Sequence, residues 1–221
     1  MTDALLIAHI AVFGAWFGTD LATFYLSRQV LDATVVVPTR AHLAKVMLGV
    51  EVIARLCLPT TLVLGLTLSI DLGYVSWQQW WIFPIWLTGV LWVAMVWAIH
   101  RDCWWDRRPR HQPHWTGSVA PHSGLSGRAR RGVATVVADV PFTGVWLGVK
   151  LLAFGTIMAI GIRVRFLLRP FAASFAQLVS AGSSPEAESA VRRALRRAYP
   201  YVISIWVMLL LAVSMAVIKP V

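Results

Sequence analysis

The sequence contains little charge. Only 14% of its 221 residues are Asp, Glu, Lys or Arg, whereas 58% are hydrophobic and the mean hydropathy is +0.68. Soluble globular domains carry about a quarter charged residues. The composition therefore excludes an ordinary soluble domain and places the chain in a lipid bilayer.

Cysteine and acidic residues are also scarce. Cys57 falls within an apolar run and Cys103 at the end of another, so they should lie at different depths and form neither a disulfide nor a metal site. Ten acidic residues stand against 20 basic ones, which gives a net charge of +10. Most of the basic residues are arginines between apolar runs, a pattern typical of membrane proteins. We therefore expect no nucleic-acid partner.

Five apolar runs are long enough to cross a bilayer, which takes about 20 residues for each helix. They cover residues 4–26, 44–70, 78–100, 140–166 and 200–218. The first run has no basic flank and contains His9 and Asp20, so it does not have the pattern of a cleaved signal peptide. The sequence predicts an all-α, polytopic transmembrane helix bundle, with residues 1–221 forming a single integral membrane domain.

Two polar links join the later runs. Residues 101–132 form a loop rich in Arg, Trp and His. Residues 167–199 form a basic loop with a short surface helix at 185–198. This helix is expected because Ser184 can cap it and Pro185 suits its first position.

The arginines do not alternate cleanly across the membrane. With the N-terminus outside, Arg28, Arg40 and the loop at 101–132 lie inside, but the cluster at 192–197 falls outside. This placement departs from the tendency of Lys and Arg to remain inside. Either one apolar run is re-entrant, or residues 132–146 make a separate crossing or hairpin.

We single out six ionisable residues within or directly before the apolar runs, because insertion costs about 2.5 to 3.5 kcal/mol for each charge. They are His9, Asp20, Glu51, Arg55, Asp139 and Lys150. Asp139 and Lys150 are three helical turns apart and share a face. The charges almost cancel when His9 is neutral, which indicates one interior network. Such a network either fixes helix register or surrounds a cofactor or substrate.

Helical spacing orients the other members of this network. His9, Trp16 and Asp20 recur at intervals of one or two turns, so they share one face of the first helix. Glu51 and Arg55 are four residues apart and can pair along the second helix. Both faces are predicted to point into the bundle.

Parts of the sequence resemble a known group of membrane proteins. They are LLIAHIAVFGAWFGTDLATFYLSRQ at 5–29, VKLLAFGTIMAIGIRVRF at 149–166 and RRALRRAYPYVISIWVMLLLAVSMAVIKP at 192–220. These segments are similar to the small bacterial membrane protoporphyrinogen oxidases, and to the related copper-resistance protein D and uncharacterised membrane families. In those oxidases a His in the first helix and a Lys at the start of a later one are associated with a b-type heme. The matching positions here are His9 and Lys150, and the Lys-Pro pair that ends the last helix matches Lys219 and Pro220.

The resemblance implies a membrane-embedded, b-type heme-binding redox protein. His9 would ligate the heme iron, with Trp16 in the same pocket. Lys150 would lie opposite His9 or near a propionate, and Arg55 would pair with an acid group. If the chain is an enzyme, it would oxidise a porphyrinogen and pass electrons to a quinone or another carrier, in the bacterial cytoplasmic membrane.

A second interpretation makes the chain a structural or accessory subunit of a larger membrane complex, without catalysis. The Trp-rich run at 78–100 would then pack against other subunits, and the interior charges would only fix helix register. The oxidases are usually shorter, have four helices, and lack both this run and the loop at 101–132. The sequence leaves both interpretations open.

Overall fold

The chain forms an all-α bundle. The computed structural model describes residues 2–105 and 144–218, and no strand occurs among them. The helices are α1 (Thr2–Val30), α2 (Val37–Asp71), α3 (Ile82–Trp105), α4 (Val145–Ala181) and α5 (Pro185–Ile218), with a 3-10 turn at Gln79–Trp81. Each of these five helices is long and apolar enough to cross a bilayer. The prediction of an integral membrane helix bundle is confirmed.

The helices extend well beyond the apolar runs that predicted them. α4 continues to Ala181 and α5 begins at Pro185. The link expected at 167–199 is therefore helical except at residues 182–184. Helices of this length exceed the roughly 30 Å of a bilayer core, so parts of α4 and α5 project beyond it.

The surface helix predicted at 185–198 forms the first turns of α5. Proline lacks a backbone N–H and often ends or kinks a helix, yet Pro200 lies inside α5, which continues to Ile218. Ser184 Oγ accepts a hydrogen bond from the Ala187 N–H at 3.2 Å, which is the expected cap. The arginine-bearing segment is thus joined directly to the last membrane span.

α1 and α2, α2 and α3, and α4 and α5 are antiparallel pairs, which gives the bundle two faces across the membrane. At one face Thr2 Oγ1 donates a hydrogen bond to Asp71 at 2.6 Å, and the first residues of α4 pack beside the end of α2. The opposite face holds the ends of α1 and α4 and the starts of α2 and α5. We call the first the acidic face, after Asp3 and Asp71, and the second the basic face, after Arg28 and residues 192–197.

The arginines of α5 share a face with those of α1 and α2. A simple alternation of five spans puts residues 192–197 opposite Arg28, and it does not hold, because α2 and α5 both begin at the basic face. Trp105 and Gly144, the described ends on either side of residues 106–143, lie at opposite faces. The charge pattern of the described helices therefore agrees with the positive-inside tendency.

Apolar packing holds the helices together at three depths. The middle cluster joins α1, α2, α4 and α5 through Trp16, Ala54, Ile157, Ile205 and Leu209. The cluster at the basic face contains Val30, Ala44, Phe175, Leu178 and Val191. The cluster at the acidic face contains Val75, Trp146 and Leu147. α3 packs chiefly on α2, where a Cβ at Gly89 would collide with Val63.

A local turn closes the link between α1 and α2. Asp32 Oδ1 accepts hydrogen bonds from the backbone N–H and the hydroxyl of Thr34, at 2.9 and 2.7 Å. These bonds hold the pKa of the exposed Asp32 carboxyl below its usual value. The turn directs α2 back along α1.

A buried arginine ties three helices together at the basic face. The Arg40 guanidinium donates two hydrogen bonds to the Glu188 carboxylate, at 2.6 and 2.9 Å, and its Nε donates to the Val30 carbonyl at 2.8 Å. Ser183 Oγ donates to the same carboxylate at 2.7 Å. Arg40 is 1% exposed. This ion pair, which we call the Arg40 clamp, joins the end of α1 and the starts of α2 and α5.

Removing the Arg40 clamp should destabilise the protein. Arg40→Met leaves the Glu188 carboxylate without its partner in a largely buried position, a change that typically costs about 3 kcal/mol or more. The matched control is Arg28→Met, since Arg28 is an exposed arginine of the same face. Thermal unfolding in detergent should show a marked loss for Arg40→Met and little change for Arg28→Met. Equal stability of the two variants would contradict the role of the clamp.

The basic face should lie on the cytoplasmic side, because Lys and Arg are retained there. Single cysteines at Ala33 and Ala181 probe this face, and one at Ser76 probes the acidic face, in a chain with Cys57 and Cys103 replaced by Ala. In intact cells a membrane-impermeant maleimide should label only the Ser76→Cys variant. Labelling of Ala181→Cys without Ala33→Cys would contradict the shared face.

Candidate functional site

The polar face predicted for α1 contributes to two different places in the bundle. Trp16 is 4% exposed and meets Phe154 of α4 edge to face, with ring centroids 6.2 Å apart. Asp20, one turn further along, faces the same interior region. His9 lies about 16 Å from Asp20 along the helix, toward the acidic face. The residues of this shared helix face therefore lie at two different depths in the membrane.

His9 packs directly on α2. A Cβ at Gly65 would lie 3.0 Å from His9 Cε1, so a glycine at this point lets the imidazole approach the helix backbone. The ring also lies within hydrogen-bonding reach of the Thr61 backbone. His9 Nδ1 is buried and has no hydrogen-bond partner among the described residues. The imidazole thus keeps one buried nitrogen, Nδ1, that no described residue engages.

Lys150 lies within electrostatic range of His9. The two side chains interact electrostatically, although they belong to α1 and α4. Lys150 Nζ also lies 5.6 Å from the centroid of the Trp146 ring, within the range of a cation–π contact. Trp146 in turn packs on Tyr74. His9 and Lys150 form one group in the half of the bundle nearer the acidic face, which we call the His9 group.

A cavity of about 360 Å³ lies nearer the basic face than the His9 group does. All five helices line it, and its walls are mainly apolar. Its polar members include Asp20, Glu51, Arg55, Arg165 and Tyr199. The size falls at the lower end of the range for small-molecule sites. Neither His9 nor Lys150 lines this charged cavity.

The charges around the cavity are partly paired. Arg55 donates a hydrogen bond to Glu51 one turn away, as the spacing predicted, while the buried Arg55 Nε has no hydrogen-bond partner within residues 2–105 and 144–218. Asp20 interacts electrostatically with Glu51, and Arg165 does so with both Glu51 and Arg55. No ion pair is formed by Asp20 or Arg165 within the described ranges. The cavity can therefore offer both a carboxylate and a guanidinium to a ligand.

Sequence reasoning did not identify Arg165. It lies at the end of the fourth apolar run. The available signal was the pair Arg163 and Arg165, which interrupts the apolar pattern, although α4 continues as a helix to Ala181. Arg40 was missed for a similar reason, because its buried partner Glu188 is distant in sequence and no local spacing reveals it.

The predicted network divides into two groups of residues. Trp16, Asp20, Glu51 and Arg55 meet around the charged cavity, whereas His9 and Lys150 meet elsewhere. Asp139 lies outside the described residues. No cluster of three or more His, Cys, Asp or Glu side chains suited to a metal ion occurs in the described part of the chain. A heme does not require such a cluster, since one His can hold its iron.

Comparison with known proteins assigns no family to the chain. No family model matches it, and no curated protein or solved structure is similar to it. The resemblance to the membrane protoporphyrinogen oxidases consequently rests on the short segments at 5–29, 149–166 and 192–220. The function has to be argued from the side chains themselves.

Proposed function

We propose that the chain is a membrane-embedded, b-type heme-binding redox protein in which His9 ligates the iron. The supporting observation is the state of the imidazole. The ring lies within hydrogen-bonding reach of the Thr61 backbone, and Nδ1 is buried without a hydrogen-bond partner among the described residues. Metal-binding histidines characteristically give one ring nitrogen to a carbonyl or carboxylate and the other to the metal. The donor chemistry of His9 fits a heme ligand.

A cationic side chain near His9 fits a heme propionate. Lys150 is already within electrostatic range of the imidazole. Arg55 lies about 9 Å from Thr61 along α2, at six residues' distance. Its buried Nε has no partner in the described part of the chain and can donate a hydrogen bond. Lys150 would hold a propionate, whereas Arg55 and Trp16 line the charged cavity, and the heme site is proposed without them.

The heme, when bound, supplies one-electron transfer in a low-dielectric interior. The chain's own part is to orient His9 against α2, keep water out and hold a propionate. An oxidase of this kind would take a porphyrinogen from the bilayer and pass electrons to a quinone or another carrier. The bacterial cytoplasmic membrane is the location that this activity and the arginine distribution favour.

An accessory role in a larger membrane complex is the second candidate. The observation in its favour is the position of α3, which packs chiefly on α2 among the described helices. Its other side exposes large apolar residues, including Phe83, Leu87, Val90 and Leu91. Such a face can meet lipid or another subunit. Size separation after gentle detergent extraction distinguishes the two, because a subunit should migrate with its partners.

The heme proposal predicts a Soret band in protein purified from cells with adequate heme. His9→Ala should abolish or strongly shift this band, because the iron loses its ligand. His42→Ala is the matched control, since His42 is an exposed histidine at the start of α2, and its spectrum should match the parent. Oxidised and dithionite-reduced absorption spectra make the comparison.

Two outcomes would overturn the assignment. Protein without any Soret band under these conditions would exclude a resident heme. An unaltered spectrum in His9→Ala, with normal protein yield, would exclude His9 as the ligand even if heme is bound. Migration of the protein in a defined complex that contains no heme would favour the accessory role.

A further inference from the structure

α3 indicates how deep the charged cavity lies in the membrane. Its apolar stretch runs from the turn at Gln79–Trp81 to Arg101, about the 20 residues that cross a 30 Å hydrocarbon core. On α2 the residue packed against Gly89 is Val63, and the two helices are antiparallel. Counting from that contact, Arg101 lies level with Glu51. Glu51 is therefore near the headgroup plane of the basic face, not in the middle of the bilayer.

The other helices reach the same plane at charged residues. About 20 residues from the acidic end of α1 lead to Asp20, and the same length from the start of α4 leads to Arg165. Exposed arginines surround this level on three helices: Arg101, Arg163, Arg196 and Arg197. The charged cavity thus opens at the level where lipid headgroups lie.

The apolar wall of the cavity reaches the outer surface between α3 and α4. Met95 and Ile99 of α3 and Ile162 of α4 line it, yet each is more than half exposed. These side chains lie on the hydrocarbon side of the arginine level. An apolar chain could therefore enter the cavity from the bilayer while a polar head remains near Arg165.

Charge favours an anionic head. The four ionisable side chains that line the cavity, Asp20, Glu51, Arg55 and Arg165, balance one another. The exposed arginines around the mouth then make the local potential positive. Arg55 is engaged by Glu51, whereas Arg165 forms no ion pair with a described residue. Arginine also binds phosphate through two parallel hydrogen bonds.

We propose that the charged cavity binds an anionic phospholipid, whose phosphate pairs with Arg165 and whose acyl chain enters between α3 and α4. The site is separate from the His9 group and does not depend on a heme. The lipid would fill the space between helices that have few direct contacts and would fix their spacing at the basic face.

The test compares lipid retention by variants in nanodiscs of phosphatidylcholine containing a minor fraction of phosphatidylglycerol. Native mass spectrometry after detergent extraction counts the phosphatidylglycerol that remains bound. Arg165→Gln should weaken retention roughly tenfold, the effect of losing a hydrogen-bonded charge. Arg163→Gln should retain the parent value, because Arg163 is exposed like Arg165 but does not line the cavity.

A second pair of variants tests the acyl part of the site. Gly161 lines the cavity and Gly155 does not, and an added Cβ meets nothing within 4 Å at either position. Gly161→Leu should displace the lipid, whereas Gly155→Leu should retain it with similar thermal stability. Equal loss in Arg163→Gln and Arg165→Gln would reduce the effect to a diffuse arginine belt and overturn the proposal.

A competition experiment distinguishes a phospholipid from free phosphate as the ligand. Inorganic phosphate should not displace phosphatidylglycerol at comparable concentration, since it lacks the acyl chain. Efficient displacement would mean that the site recognises free phosphate, which also overturns the proposal. His9→Ala should leave lipid retention unchanged, so failure of the heme assignment and failure of the lipid site give different results.

Discussion

The Arg40 clamp sets the register on which the rest of the bundle depends. α1 packs along α2 and α4 packs along α5, but these two hairpins have few backbone approaches to each other. Arg40 bridges them, because it reaches the last turn of α1 and the first turn of α5 from the start of α2. A bidentate arginine pair also fixes orientation, which a single apolar contact cannot do. Asp20, Glu51 and Arg165 meet at one level because the two hairpins are held in this register.

The second constraint is the thickness of the bilayer. Backbone polar groups inside the hydrocarbon must be satisfied within the helix, so each span needs about 20 apolar residues. α2, α4 and α5 are much longer than this, and their extra turns gather at the basic face around Val30, Leu178 and Val191. A buried ion pair is acceptable there, because its surroundings are an extension of the bundle beyond the lipid. The clamp and the membrane span therefore occupy different environments.

The sequence predicted the features that depend on local pattern. Hydropathy located the five helices, and spacing found the Glu51–Arg55 pair and the Ser184 cap. It did not find the Arg40 clamp, since Arg40 and Glu188 are far apart along the chain and each alone has the pattern of an exposed link residue. It also joined His9 and Asp20 into one network, because helical periodicity reports the face of a residue but not which neighbours lie at its depth.

The ionisable residues lie at different depths in the membrane, and the reason why each charge is tolerated differs with its depth. Asp20, Glu51, Arg55 and Arg165 lie near the headgroup plane, where water and lipid phosphates reduce the cost of charge, so no catalytic role is needed to account for them. Lys150 has a long apolar stem that can carry its ammonium toward the acidic face. Neither explanation applies to His9, because its short side chain lies against Gly65 and Thr61 about 10 Å inside the span. Membrane position therefore accounts for the His9 imidazole less well than for the other described ionisable groups of the spans. The functional proposal rests on this imidazole and its unpaired Nδ1.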